Sequence, residues 1–349
     1  MPKFIILLMG VVFAAASCNI SDPLNITTGA RGVFKSEDGG ESFHSANSLG
    51  KGNINNVSVN ALAFEPGNSE VMYLAGSSGI YKTEDGAKNW TYILTRIAVA
   101  DLAISPNNPS TIYAAGVSGN NGKIIKSLDD GNNWSEIYTE PSKSNPVMSM
   151  AVSSSSLVIA GLSTGEIIRS FDGGSTWQAG QDLQDRIIKI RFDSNNTAYV
   201  LTRTAGIFKS VDSGHTWTKI SEVLTRDNVF NNTTVPAVSV FHDFSLDSRL
   251  PGVIYLAAEE GLYRTVNDGQ NWNILGLPLK DKALKVSALA VNPSNSNNIL
   301  LSVGSTMLKS LNGGLTWETK GLRTEQPVRL IAIDPESANI VYLGLGERK

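Results

Sequence analysis

One eight-residue pattern recurs seven times along the chain, and no other feature limits the possible folds so tightly. It reads Ser/Thr, any, Asp/Asn, any, Gly, any, any, aromatic. The copies are SEDGGESF (36–43), TEDGAKNW (83–90), SLDDGNNW (127–134), SFDGGSTW (170–177), SVDSGHTW (210–217), TVNDGQNW (265–272) and SLNGGLTW (310–317). Their closing aromatics, Phe43, Trp90, Trp134, Trp177, Trp217, Trp272 and Trp317, stand 47, 44, 43, 40, 55 and 45 residues apart. A period of that size holds about four short strands, the content of one propeller blade.

Each residue type in the octapeptide has a local role. Asp38, Asp85, Asp129, Asp172, Asp212, Asn267 and Asn312 can accept hydrogen bonds from backbone N–H groups two residues on, and the glycine that follows takes positive φ without steric cost. The closing aromatic is expected to pack back across its own hairpin as a large apolar anchor. In TEDGAKNW, Ala87 replaces the usual glycine, and Gly86 is expected to take the strained position.

The flanks repeat as well. A short apolar run precedes each octapeptide (GVFKS, GIYKT, KIIKS, EIIRS, GIFKS, GLYRT, MLKS), which reads as a third strand, and the residues after the aromatic read as a fourth. Upstream lie paired runs such as VNALAFEP with VMYLAG and VSALAVNP with NILLSVG, joined by Pro/Asn/Ser turns that suit hairpins. The N-terminal stretch 31–46 supplies only a third and a fourth strand, whereas 328–345 supplies only a first and a second. Joined, they complete one blade and remove the edges that an open ring would expose. The expected fold is therefore all-β: a single seven-bladed β-propeller over residues 31–349.

The start of the chain reads differently. Lys3 is followed by an apolar run from Phe4 to Ala16, too short to span a bilayer and of the length of a signal-peptide core. It ends in Ala15-Ala16-Ser17-Cys18, which resembles the bacterial lipobox. That resemblance implies a signal peptide over 1–17, lipidation of Cys18, and a polar tether over 18–30 to the periplasmic or extracellular face of a bacterial membrane. Cys18 is the only cysteine, so no disulfide can form within the fold. The net charge of −3 argues against nucleic acid as a partner.

The octapeptides resemble the Asp-box, or BNR, repeat family across essentially the whole of 31–349. The flanking segments look like sortilin-type and xyloglucanase-type repeats, and a lone propeller behind a lipobox is similar to the photosystem II assembly-factor propellers. In that family the box lies on the rim away from the ligand-binding face, so the resemblance makes the box residues structural. It leaves function open, because fold does not decide it.

Chemistry finds little support in the residues. A glycosidase needs two carboxylates facing across a cleft. Asp185, Asp227, Glu259, Glu260, Asp281 and Glu325 fall in loops of the expected binding face, where solvated acids are ordinary content. All six tryptophans sit in octapeptides, which leaves few aromatics for stacking on sugars. His44, His215 and His242 are scattered, without metal-ligand spacing. No catalytic residue, metal or cofactor is assigned. Two function classes stay in play: a lipid-anchored monomer that binds a protein or assembles an envelope complex, and a glycan-binding or glycan-cleaving surface protein.

Comparing the repeats with one another gives candidate binding residues. One position of the first strand holds Ala63, Ala103, Ala151, Ala290 and Ala332, with Ser245 in the fifth blade, but Arg191 in the fourth. Lys189, two residues earlier, shares its face. Asp101 and Asp243 occupy the position of Lys189 in other blades and are candidate partners for the two cations. The long insertion 221–236, with Arg226, Asp227 and Phe230, is expected to overhang the same face.

Overall fold

The computed structural model describes residues 21–24, 31–95, 97–225, 228–230, 233–235, 238, 240–279, 285–322 and 324–347. The leader 1–17 and Cys18 lie outside these residues, as do Arg226, Asp227 and Asp281. Among the described residues the chain forms seven four-stranded antiparallel blades arranged as a β-propeller, and the one helical turn is a 3-10 turn at Glu222–Thr225. Blades 1 to 6 occupy 59–95, 98–143, 147–182, 187–219, 241–275 and 286–322. Blade 7 takes its two inner strands, Val328–Ile333 and Val341–Leu345, from the C-terminal end and its two outer strands, Gly32–Ser36 and His44–Ser45, from the N-terminal end. Gly32 pairs with Leu345 and Ser36 with Val341, so the ring closes as the strand halves at the two ends require.

The core follows from this order. A blade covered on both faces by its neighbours must bury both faces of its middle strands, so those strands read as continuous apolar runs. Ile254–Ala258 and Val341–Leu345 are buried at every residue. The buried apolar side chains fall into seven clusters, each built from two neighbouring blades; one joins Tyr199 and Leu201 of blade 4 to Phe241, Phe244 and Trp272 of blade 5. The core is thus a set of wedges around the axis.

The octapeptides close the turn between third and fourth strands by a fixed set of bonds. In blade 3 the Ser170 hydroxyl donates to Asp172 Oδ1 at 2.8 Å and accepts the Gly174 N–H at 2.7 Å. Asp172 Oδ1 also accepts the Thr176 N–H at 2.8 Å. The carboxylate therefore reaches four residues on, beyond the two expected, because two successive residues of the turn are left-handed. Gly173 and Gly174 have φ of 67° and 97°. The strained position in TEDGAKNW is likewise double: Gly86 has φ 66° and Ala87 itself φ 68°.

The closing aromatic bonds in two directions. Trp134 Nε1 donates to Gly131 O at 2.9 Å and Trp177 Nε1 to Gly174 O at 3.1 Å, each within its own turn as expected, and three of the aromatics reach the blade before them. Trp90 Nε1 donates to Ala46 O at 2.8 Å, Trp177 Nε1 to Ile137 O at 3.0 Å and Trp272 Nε1 to Ile220 O at 3.0 Å. An opposite staple runs forward from the second strand: Tyr73 OH donates to Asp130 O at 3.3 Å and Tyr113 OH to Gly173 O at 3.1 Å, each in the octapeptide of the next blade. The repeats thus tie blades together as well as closing turns.

Further segments depart from a plain ring, among them a small hairpin of Ser48–Leu49 with Gly52–Asn53. Ser21–Leu24, within the stretch read as a tether, pairs in parallel with the outer strand Glu318–Leu322 of blade 6. The insertion after blade 4 continues from the 3-10 turn into a small hairpin, Asn228–Phe230 with Thr233–Val235. Its base is not loose: Leu224 is buried in the wedge between blades 4 and 5, and the Ser221 hydroxyl accepts the Ile207 N–H at 2.9 Å.

Candidate functional site

Every first strand carries the same irregularity at its axial end. The pairing register shifts near the start of the first strand in all seven blades, at 59/61, 99/101, 147/149, 187/189, 241/243, 286/288 and 328/330. Such a bulge frees one residue from the ladder and re-aims its side chain. The freed residues are Asn60, Ala100, Met148, Ile188, His242, Ser287 and Arg329. They surround the axis on the face opposite the octapeptides, since strand direction alternates within each blade.

The next position forms a polar belt linking first strands. Asp101 accepts the Ser149 hydroxyl at 2.6 Å and the Met150 N–H at 3.1 Å, and Ser149 Oγ accepts the Ile190 N–H at 2.9 Å. Lys189 Nζ lies 2.6 Å from Asp243 Oδ1 and donates to Phe244 O at 3.0 Å, while Asp243 Oδ2 accepts the Leu289 N–H at 3.0 Å. Arg191 donates to Ile190 O at 2.6 Å and stands 3.3 Å from Asp101 Oδ2. The four residues picked from the repeats are therefore brought together as two ion pairs that fasten blade to blade. Burying a charge without such partners would be costly. Lys189 is mostly buried, whereas the Arg191 side chain keeps 40% of its exposure.

These side chains form one wall of an axial cavity of about 400 Å³, whose lining also includes Arg186, Arg203, His242 and Arg329. A second hollow of about 300 Å³ adjoins it, shares Arg203, His242 and Arg329, and adds Glu259 and Lys285. The axial lining thus carries five cationic side chains, Arg186, Lys189, Arg191, Arg203 and Arg329, against the carboxylates Asp101 and Asp243. Glu259 is 3.3 Å from Lys285 and 3.8 Å from His242. Arg329 donates to Glu347 O at 2.8 Å. Burial, and after it the positive charge of Arg186, pull its guanidinium below the usual arginine range.

Among the described acids of this face, Asp185 and Glu325 have separate surroundings. Asp185 accepts the N–H groups of Thr204 and Ala205 at 2.5 and 2.6 Å, which holds a turn and, despite the opposing effect of burial, lowers its pKa. Glu325 lines a separate open hollow of about 650 Å³ beside Thr324 and Glu347. No group of three or more potential metal ligands occurs among the described residues. Phe230 lies in the small hairpin of the insertion. Arginines 186, 203 and 329 and His242 escaped the repeat comparison. Arg329 and His242 stand in register with residues as different as Ala100, Met148 and Ile188, so no uniform repeat position set them apart as it did Arg191.

No family model matches the chain. The photosystem II assembly lipoprotein Ycf48 of Synechococcus sp. (strain CC9902) is 21% identical over 263 residues, 73% of this chain and 73% of that one. Among solved structures, the GH74 enzyme of Niastella koreensis superposes with a TM-score of 0.66 at 19% identity, over 93% of this chain and 53% of its own length. The structure of YCF48 bound to D1 peptide superposes with a TM-score of 0.64 at 15% identity, over 83% and 93% of the two chains. The chain is a seven-bladed β-propeller resembling Ycf48 and the GH74 xyloglucanases. It spans about half the length of the Niastella enzyme and nearly the whole of the Ycf48 structure.

Proposed function

We propose that the chain is a non-catalytic, lipid-anchored propeller of Asp-box type that binds a protein partner, or assembles a complex, at the cell envelope. The axial mouth opposite the octapeptides is its recognition face, and a carboxylate-bearing segment of the partner is its ligand. The observation that carries this reading is the excess of guanidinium and ammonium groups over carboxylates in the cavity lining. Such a charge excess in a low-dielectric concavity concentrates anionic partners and sets specificity. The Ycf48 relative supports it as an assembly lipoprotein, and its solved counterpart holds a peptide. Lys189, Arg191, Asp101 and Asp243 hold the wall, and Arg226, Asp227 and Phe230 of the insertion would border it.

The test is capture of partners from native envelopes by crosslinking, comparing the unaltered chain with an Arg186→Glu/Arg203→Glu variant. Reversal of the two charges should reduce capture by at least about tenfold, in line with the cost of like-charge juxtaposition at an interface. Undiminished capture by a variant with an unchanged melting temperature refutes the reading. The likeness to GH74 enzymes favours a second reading, a glycan-active protein, and hydrolysis of xyloglucan by the purified chain would establish it in place of the first.

A further inference from the structure

The face opposite the mouth carries an ordered set of exposed apolar side chains. The second residue of the octapeptide is Leu128, Phe171, Val211, Val266 and Leu311 in blades 2 to 6, and Leu315 adds another within blade 6. These six are between 51% and 81% exposed. Single apolar residues scattered over a surface need no explanation. Five equivalent positions in five successive blades are different, because the propeller places them on one circle about the axis and at one height. In blades 7 and 1 the same position is Glu37 and Glu84, each paired with the lysine two residues earlier at 2.9 and 2.6 Å. The apolar set is therefore an arc with a defined gap. The turn side chains beside it serve the turns themselves: Asp129, Asp172 and Asp212 accept N–H groups of their own octapeptides.

A second observation says what this arc meets. Ser21–Leu24 runs parallel to Glu318–Leu322, with Ser21 opposite Lys320 and Leu24 opposite Leu322. The outer strand of blade 6 starts directly after its octapeptide and runs away from that face. A parallel neighbour must enter from the same side, so Ser21 is the end of its strand nearer the octapeptide face. Cys18 is three residues before Ser21, a span of at most about 10 Å. On the lipid-anchored reading, a lipid on Cys18 is within reach of the face that carries the arc, beside the blade of Leu311 and Leu315.

We propose that the octapeptide face lies on the bilayer surface, with the arc from Leu128 to Leu315 seated at the boundary between headgroups and acyl chains. Glu37 and Glu84 keep blades 7 and 1 at the aqueous side of that boundary. Amphipathic surfaces of this kind bind weakly by themselves and hold stably when a covalent lipid supplies a second attachment. The proposal rests on the lipid-anchored reading for the identity of the surface and is independent of what the mouth binds.

The experiment uses the chain from residue 18 onward, which contains every described residue, acylated at Cys18 and reconstituted in phosphatidylcholine vesicles. Val211→Cys, Leu315→Cys and Glu325→Cys variants are each labelled with a polarity-sensitive fluorophore. Emission at 211 and 315 should shift to the blue and be quenched by a quencher placed in the lipid phase, with neither change at 325 on the opposite face. Equal, water-like emission at all three positions in vesicle-bound protein overturns the proposal. Palmitate labelling of the unaltered chain and of Cys18→Ala tests the anchor separately. Should the unaltered chain carry no label, the arc is judged on the non-acylated Cys18→Ala chain. Replacing Leu128, Phe171, Val211, Val266 and Leu311 by Ser should then lower vesicle binding by about tenfold or more without changing the melting temperature, and unchanged binding overturns the arc.

Discussion

Two left-handed residues in succession are the most demanding requirement of each octapeptide turn, and the second of them is glycine in six copies of seven. At Gly269 the reason is steric as well as conformational. Its φ is 83°, and a Cβ there would stand 2.6 Å from the carbonyl oxygen of Ile220 in the preceding blade. Gly269→Ala should therefore cost about 1–2 kcal/mol for the left-handed backbone and more for the displaced carbonyl, read as a fall in denaturation midpoint without change of slope. Ala87 tolerates the equivalent position in blade 1, where its methyl is buried against Trp90 and its neighbours. The need for a turn at each Asp or Asn was legible from residue type alone. That Ala87 itself turns left-handed was not, because glycine next door offered an equally good solution until the spacing of the bonds to Thr83 and Asp85 was known.

At the scale of the strand and blade, the octapeptide aromatic is an inter-blade wedge. Trp272 is almost completely buried among residues of blades 4 and 5 and donates to Ile220 O. Trp272→Ala should destabilise by about 3–5 kcal/mol, the usual cost of deleting a large core aromatic, with no effect at the mouth on the opposite face. Calorimetry and partner capture on the same variant check both halves of that statement. Sequence spacing gave the wedge its period but not its direction, since a repeat shows what is equivalent and says nothing about which neighbour each copy touches. The turns also set an acid limit. Bonds from the Thr176 hydroxyl and N–H and from Ser170 push the Asp172 carboxyl down to about 2, and Asp129 and Asp212 are lowered by the same kind of bonds. A carboxylate held below its unfolded value, near 3.9, stabilises the fold above that value and loses the contribution as pH falls through the folded one. The melting temperature should thus drop between about pH 4 and pH 2. Asp172→Asn should flatten that drop, because Asn267 and Asn312 already fill the same role in blades 5 and 6. An unchanged profile in the variant would assign the acid limit to other carboxylates.

For the molecule as a whole, closure is the feature that was most fully legible: two half-sets of strands at opposite ends of the sequence could be satisfied only by each other. Removing 328–349 leaves Gly32–Ser36 without its partner Val341–Leu345 and opens the wedges on both sides of blade 7. The product should aggregate or melt without cooperativity, and a soluble product with a sharp transition would contradict the shared blade. The mouth was legible only in part. Lys189, Arg191, Asp101 and Asp243 sit in register, where a repeat exposes its exceptions. Arg186 and Arg203 sit in connections between strands, where the blades differ in length and no register survives. The bulge that turns His242 and Arg329 toward the axis leaves no mark in residue type, since Ala100 and Ile188 take it too. Closure also has a consequence in time. The blade holding Gly32 is completed by Leu345, so the earliest part of the propeller to be made waits for the last. Until then the growing chain carries an open sheet edge of the kind that recruits foreign strands, and closing the ring needs a contact between its two ends, the kind of distant pairing that forms slowly. A chain of this design depends on being escorted, or on being finished quickly, before it is safe in company.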